Sequence, residues 1–391
     1  MKEYSNKTVI DSLDLPAMIS FDDLTKHLRL SPNLVYWLTS DSEKKYRVFQ
    51  IAKRNGAPRE ISAPVYSLKT VQRWVLNNIL YKIKVSPYSY GFIKDGNGSP
   101  IVKCAEKHKN NLYILKMDIK NFYPSIKRER IYFKFTNIGY NSSVANLLTN
   151  ICVFKDSLPQ GAVTSSYLAN IICRKMDYRI AGYCNKRDIV FSRYADDLTF
   201  SSDNREVLKG IYGTIKKIVA SEGFAINEEK TRFLSPRCRK RVLGVTINDS
   251  NLKAPKETKR TIRAMIYNSF LTKDYSKNPK IKGYISYINS IEPNYKEKVK
   301  KYILSLYDCD YTIIKDVVDA FNSNKLFSDL PDMKTHKVEE LFKIDVVSAS
   351  EIESDINIQY VDFLASHGMH EESKTDESIT TAETYEQDSP F

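Results

Sequence analysis

The sequence is 391 residues long and 42% hydrophobic, with a net charge of +13 and a pI near 9.2. That composition is ordinary for a globular protein, and the length allows a multi-lobed body with a sizeable core. No run of about 18 apolar residues occurs, which excludes a membrane-spanning helix, and the cysteines show no CxxC spacing, which argues against a structural zinc or a disulfide framework.

The charge is unevenly distributed. Residues 341–391 hold 12 acidic and 2 basic side chains, a net of −10, which leaves +23 on residues 1–340. A body this basic suits a polyanion, bound by release of its counterions. It also fits a merely soluble basic protein. The first residues, MKEYSNKTVIDSLDLP, lack the apolar core of a signal peptide, so a cytoplasmic protein with no membrane partner is expected.

Residues 1–44 read as short helices, with Ser20 followed by Asp22 and Asp23 as a helix start. YRVFQIAKRNGAPREISAP (46–64) reads as a hairpin turning at Asn55-Gly56, with Lys53, Arg54 and Arg59 at or near the turn. Residues 67–83 carry apolar side chains at helical spacing, and DGNGSP (95–100) reads as a loop. A strand is expected over 112–119, a helix from about 127, and another over 165–183. A strand–turn–strand over 189–202 follows, then a helix over 205–222, with strands at 224–226 and 242–247. This order predicts an α+β fold: an antiparallel sheet with helices packed on one face. Two further helices are expected over 256–270 and 281–307, and the acidic last 45 or so residues should be mobile.

Three segments carry chemistry. In FSRYADDLTF (191–200), two apolar strand segments meet at a tight turn holding Asp196-Asp197. Aspartates favour turns, so a solvated hairpin tip is one reading. The other is a carboxylate pair whose mutual repulsion a divalent cation relieves. In LKMDIKNFYPSI (115–126), Asp118 ends an apolar strand, where a charge is costly without a partner. Should the two strands be neighbours, Asp118 completes a three-carboxylate cluster able to hold two Mg²⁺ ions, about 3.5–4 Å apart. In LPQGAVTSSYLA (158–169), Pro159 and Gly161 make a turn that lets a ligand approach, and Ser165-Ser166 can cap the following helix. Alone, this is also an ordinary loop-to-helix junction.

Together, LKMDIKNFYPSI, LPQGAVTSSYLAN and YADDLTFS resemble, in order and spacing, the first three palm motifs of reverse transcriptases. GFAINEEKTRF (223–233) and RVLGVTIN (241–248) are similar to the next two, the latter being the primer grip. The basic hairpin and following helix resemble the fingers. The resemblance covers about 46–307 and is nearest to bacterial retron enzymes, through YSYGFIKDGNGSPIVKCAEKH (88–108) and the absence of fused nuclease motifs. Cys104 stands where retron enzymes often have Asn, and Leu243 where they often have Thr.

The resemblance implies a right-hand polymerase fold, divided as an N-terminal helical region (1–44), fingers (45–114), palm (115–250), helical thumb (251–335) and acidic extension (336–391). It implies an RNA-directed DNA polymerase with two Mg²⁺ ions (Mn²⁺ as substitute) on Asp118, Asp196, Asp197 and the Ile119 carbonyl. Tyr123 would be the steric gate against ribonucleotides, or else a core aromatic. Lys53 and Arg59 would grip the incoming dNTP, beside Gln160 and Gly161, and Lys230 would protonate the pyrophosphate. Tyr194, Leu243 and Gly244 would support the primer; His108 would touch RNA or be structural. The partners implied are a cognate noncoding RNA, its cDNA and a separate effector protein in antiphage defence. A mobile-intron or other defence-associated enzyme is the alternative.

Overall fold

A computed structural model describes residues 6–40, 43–52, 56–93, 98–272, 274 and 276–306. Lys53, Arg54 and Asn55, the first half of the 95–100 loop, the end of the thumb and the acidic extension lie outside the described residues.

Three short helices open the chain: α1 (Lys7–Ser12), α2 (Phe21–Leu28) and α3 (Pro32–Thr39). The expected helix start at Ser20 is a reciprocal capping box: the Asp23 amide donates to Ser20 Oγ, and the Ser20 amide donates to the Asp23 carboxylate. Strands β1 (Tyr46–Ala52) and β2 (Pro58–Pro64) form the predicted hairpin, and α4 (Tyr66–Asn78) follows. Helix α5 (Pro100–His108) begins at the end of the expected loop, with Pro100 in its first turn, where a missing amide is not needed.

The central sheet is antiparallel, in the order β4–β5–β3–β6, from β3 (Tyr113–Ile119), β4 (Val190–Tyr194), β5 (Asp197–Ser202) and β6 (Ile226–Leu234). Between β3 and β4 lie α6 (Arg128–Asn137), α7 (Ser142–Cys152) and α8 (Ser165–Asn185). Alternation along the strands sorts the side chains. Leu115, Met117, Ile119, Leu198 and Phe200 face a core shared with α8, whereas Ile114 belongs to a second core. Asp118 and Asp197, on the alternate positions, therefore face away from α8.

The structure departs from the sequence reading in a few elements. The helix over 205–222 is two, α9 (Arg205–Gly210) and α10 (Tyr212–Ser221), broken beside Gly210, a poor helix former. The strand expected at 224–226 is instead the nine-residue β6. Ser165 does not cap α8; Thr164 is the cap residue, without a side-chain bond, and Ser165 Oγ donates to the Pro159 carbonyl.

The strands at 242–247 are a minimal hairpin, β7 (Arg241–Val242) and β8 (Val245–Thr246). The described residues of the thumb form three helices, α11 (Lys256–Thr272), α12 (Asn278–Ile291) and α13 (Tyr295–Leu306), because Pro293 ends the second predicted helix. Cys104 and Ala105 of α5, expected in the fingers, share the second core with β7, β8 and these helices. No described helix is long and apolar enough to cross a membrane.

Candidate active site

Asp118 and Asp197 are directly opposed across β3 and β5, and Tyr194 pairs with Asp197 to close the β4–β5 hairpin. The turn is Ala195-Asp196, with Ala195 left-handed at φ 52°, a conformation tolerated by few side chains besides glycine and asparagine. The Ile119 amide donates to the Asp196 carbonyl at 3.0 Å, so the end of β3 holds the turn. Three expected carboxylates thus converge at one end of the sheet. Opposed like charges are unfavourable. Burial, then the charges of Asp197 and Asp118, push the Asp196 carboxyl up to about 7, with Lys230 acting against them. Burial also raises Asp197, opposed by Lys116.

Lys230 closes the cluster. The β3–β6 register is irregular between Lys116 and Asp118, and this stretch carries Lys230. Its Nζ donates to Asp118 at 3.0 and 3.2 Å, while the lysine side chain stays 63% exposed. Lys230 therefore stands on β6 with its ammonium against Asp118. Among the described residues no three His, Cys, Asp or Glu side chains form a ready metal cage, and Asp118 is turned toward this ammonium. The donor set still fits a hard divalent cation: three carboxylate groups meet at one end of the sheet, two of them, Asp196 and Asp197, held back from ionising by burial and by neighbouring carboxylates, and all gain from added positive charge.

Behind the turn lies a network absent from the sequence reading. Arg193 is 0% exposed and makes a bidentate pair with Asp177 of α8, at 2.7 and 2.8 Å. Its third nitrogen donates to Asn170 Oδ1 (2.9 Å) and to the Ala195 carbonyl (3.1 Å). Asn170 in turn accepts from Ser89 and donates to the Gly91 carbonyl. A Cβ on Gly91 would lie 3.0 Å from the Ala195 amide, so this backbone approach needs glycine. The available signal was two opposite charges at inward positions of apolar segments, which demand a partner.

Beyond Asp118 in the chain, the Phe122 and Tyr123 rings lie tilted against each other, 5.3 Å between centroids, in different surroundings. Phe122 is buried and stacks on Phe224, whereas Tyr123 is half-buried with its hydroxyl 3.1 Å from Ser166 Oγ. Gly161, at φ 125°, sits against β2: an added Cβ would meet the Ser62 carbonyl at 2.9 Å and Ile61 at 3.0 Å. The Ser62 amide donates to the Gln160 carbonyl at 2.8 Å, joining fingers to palm. Arg59 shares a face of β2 with Ile61, since alternate residues point the same way, and so faces the Gly161 loop. Buried Gln72 braces the same loop, accepting from the Val163 amide and donating to Tyr46 and the Ile151 carbonyl.

On the primer side, the Tyr194 ring contacts Phe92 at 5.8 Å. Leu243 and Gly244 form the β7–β8 turn, both with positive φ (49° and 81°), as a two-residue hairpin of this hand requires. His108 does not reach RNA. It is fully buried, bonded to Ser201 and Ser192 at 2.7 Å each, and burial pushes its pKa down to about 3, so it is a neutral link inside the protein. In the thumb, Tyr284 and Tyr295 are buried and packed, while Lys296, Lys298 and Lys301 are exposed.

Residues 51–247 match the family model described as reverse transcriptase (RNA-dependent DNA polymerase). The retron Ec86 reverse transcriptase of Escherichia coli is 35% identical over 306 residues, covering 78% of this chain and 94% of that protein. The retron Mx65 reverse transcriptase of Myxococcus xanthus is 30% identical over 277 residues, 66% of this chain and 64% of its own length. Among solved structures, apo telomerase from Candida tropicalis overlaps with a TM-score of 0.46 at 11% identity, over 83% of this chain and 63% of that one. An antiparallel sheet that opposes Asp118 and Asp197, within the matched segment and beside a retron relative 35% identical and matched over 94% of its length, places this chain in the reverse transcriptase family, as a retron-type RNA-directed DNA polymerase.

Proposed function

We propose that this polymerase copies a cognate structured noncoding RNA, primes from a 2′-hydroxyl of that RNA, and so makes a branched RNA–DNA hybrid. The hybrid and enzyme act in antiphage defence with a separate effector protein. The observation that carries the catalytic part is the opposed Asp118–Asp197 pair with Asp196 on the adjoining turn.

The carboxylates of Asp118, Asp196 and Asp197, with the Ile119 carbonyl, would hold two Mg²⁺ ions, or Mn²⁺ in their place; these supply Lewis-acid activation of the primer hydroxyl and charge neutralisation on the dNTP. The protein's own groups do the rest. Arg59, on the face of β2 turned to Gly161, binds the triphosphate together with Lys53. Gln160 and Gly161 form the floor beside the nucleobase. The Tyr123 ring fills the space a ribose 2′-hydroxyl would need, with its own hydroxyl anchored on Ser166. Lys230, already 3.0 Å from Asp118, holds a proton at Nζ for the departing pyrophosphate. Tyr194 and the Leu243-Gly244 turn support the primer end.

The test is to purify the protein from cells carrying its native locus, beside an Asp196→Asn/Asp197→Asn control. DNA covalently joined to RNA, present only with the wild type, supports the reading. Extension of an added primer–template without any branched product would refute the retron product while leaving the polymerase intact.

A further inference from the structure

Helix α8 carries one acid, Asp177, which is buried against the sheet and paired with Arg193. Its exposed charges are all positive. Arg174, Lys175 and Arg179 surround Tyr178, which is 47% exposed, and Lys186 and Arg187 extend the stripe past the helix end. From 174 to 187 the stripe spans about 20 Å at 1.5 Å per residue. Arg130 and Lys134 of α6, flanking the 59%-exposed Phe133, add to it. Arg174 and Arg130 both stand close enough to Lys134 to help burial push its pKa down.

The acids nearby do not balance these cations. Glu222 accepts from Arg179 at 2.5 Å and lies 3.5 Å from Lys175. Glu129 and Asp188, both exposed, adjoin Arg130 and Arg187 in the chain. One guanidinium nitrogen of Arg130, Nη1, is buried without an acceptor among the described residues. Several guanidinium groups lie on rings: Arg187 over Tyr183 at 3.8 Å, Arg130 over Phe224 at 4.6 Å and Arg174 over Tyr178 at 5.8 Å.

This stripe cannot touch a duplex in the catalytic cleft. Strand alternation puts Asp118 and Asp197 on one face of the sheet and α8 on the other. The sheet and a helix about 10–12 Å thick separate them. The polymerase cycle described above uses none of these cations.

We propose that the outer face of α8, with the adjoining edge of α6, is a second RNA-binding surface on the back of the palm, gripping the phosphate backbone of the structured RNA that is copied on the other side. The inference rests on the proposed structured template. Arginines and lysines meet the phosphates. Exposed Tyr178 and Phe133 between them meet riboses and unpaired bases, the interleaving that single strands and loops of RNA favour. Contact is to backbone and shape, so it is salt-dependent rather than sequence-reading.

The test compares wild type with the Arg174→Gln/Lys175→Gln/Arg179→Gln variant. One assay measures equilibrium binding of a hairpin-rich RNA, without primer, over a salt series. A second measures extension of a short primer–template that fits inside the cleft. The expected variant binds the RNA about tenfold more weakly, with a log–log salt slope smaller by about 2, since each neutralised phosphate contributes roughly 0.7–0.9. Its extension rate is unchanged. Wild-type affinity and slope in the variant would overturn the proposal. So would loss of poly-glutamate binding with RNA binding intact, which would assign the stripe to an acidic protein. Failure of the proposed function would show instead as a wild type lacking branched product, in a separate readout.

Discussion

Arg193 and Asp196 lie three residues apart on one hairpin, and the protein treats their charges in opposite ways. At the root, Arg193 is wholly buried. Burial works against its charge, but Asp177 more than offsets this and holds the guanidinium above its ordinary range. Each of its three guanidinium nitrogens has an acceptor. At the tip, Asp196 is crowded by two more carboxylates, and its one cationic neighbour is on an exposed, mobile-length side chain. The root is locked so that the tip can stay unsatisfied. The Arg193 side-chain bond to the Ala195 carbonyl and the Ile119 amide bond to the Asp196 carbonyl carry that rigidity directly into the turn.

The contrast can be broken at either end. The largest effect is expected at the tip. Asp196→Asn with Asp197→Asn should lower primer extension by at least about 10³-fold, while relief of repulsion leaves the melting temperature unchanged or higher. A marked loss of stability would show the tip to be part of the scaffold. At the root, Arg193→Met leaves Asp177 buried without its partner. It should cost roughly 3–5 kcal/mol in urea unfolding, and activity would fall through lost folding. An unfolding midpoint within error of wild type would remove the root from the scaffold.

Smaller effects sharpen the picture. Tyr123→Ala should raise ribonucleotide incorporation about 10–100-fold relative to deoxynucleotides, read by alkaline cleavage of the product. No change would sink the gate assignment. The tip also predicts a pH dependence. The folded pKa of Asp196, about 7, lies above its ordinary 3.8, so the folded state binds the proton more tightly. Its contribution to stability is complete below the unfolded pKa and is lost as pH rises through the folded one. In chelator, the wild-type melting temperature should therefore fall across that window, and Asp196→Asn should flatten the fall; parallel curves would contradict it. The smallest stability effect belongs to Lys230→Gln. An ion pair with so exposed a lysine is worth less than about 1 kcal/mol. Its loss should appear instead as slower extension, about tenfold or more, and an unaltered rate would remove Lys230 from the chemistry.

The palm was legible because its signals are local. Alternating apolar strands around YADD and a helical segment over 165–183 each depend on neighbours in the chain, as does the Asn-Gly hairpin of the fingers. Elements were misplaced where a local signal was weak or passed over: Gly210 splitting one helix, Pro293 splitting another, and α7 between two stronger segments. His108 shows the limit of a motif. Its ring looked available for RNA, but the two serines that engage it lie on strands about 90 residues away.

Three carboxylates, a tyrosine five positions beyond the first and a basic body suited to a polyanion were all readable along the chain. Residue types and short spacings suffice for that, because each motif is built within a single strand or turn. Only the tertiary structure decided which charges are partners. It set Lys230 on Asp118, Arg193 on Asp177 and Asn170, and β2 against Gly161, and it turned the cations of α8 away from the cleft. Such pairings join residues far apart in the chain, and their worth depends on burial, which exists only once the sheet and helices have packed.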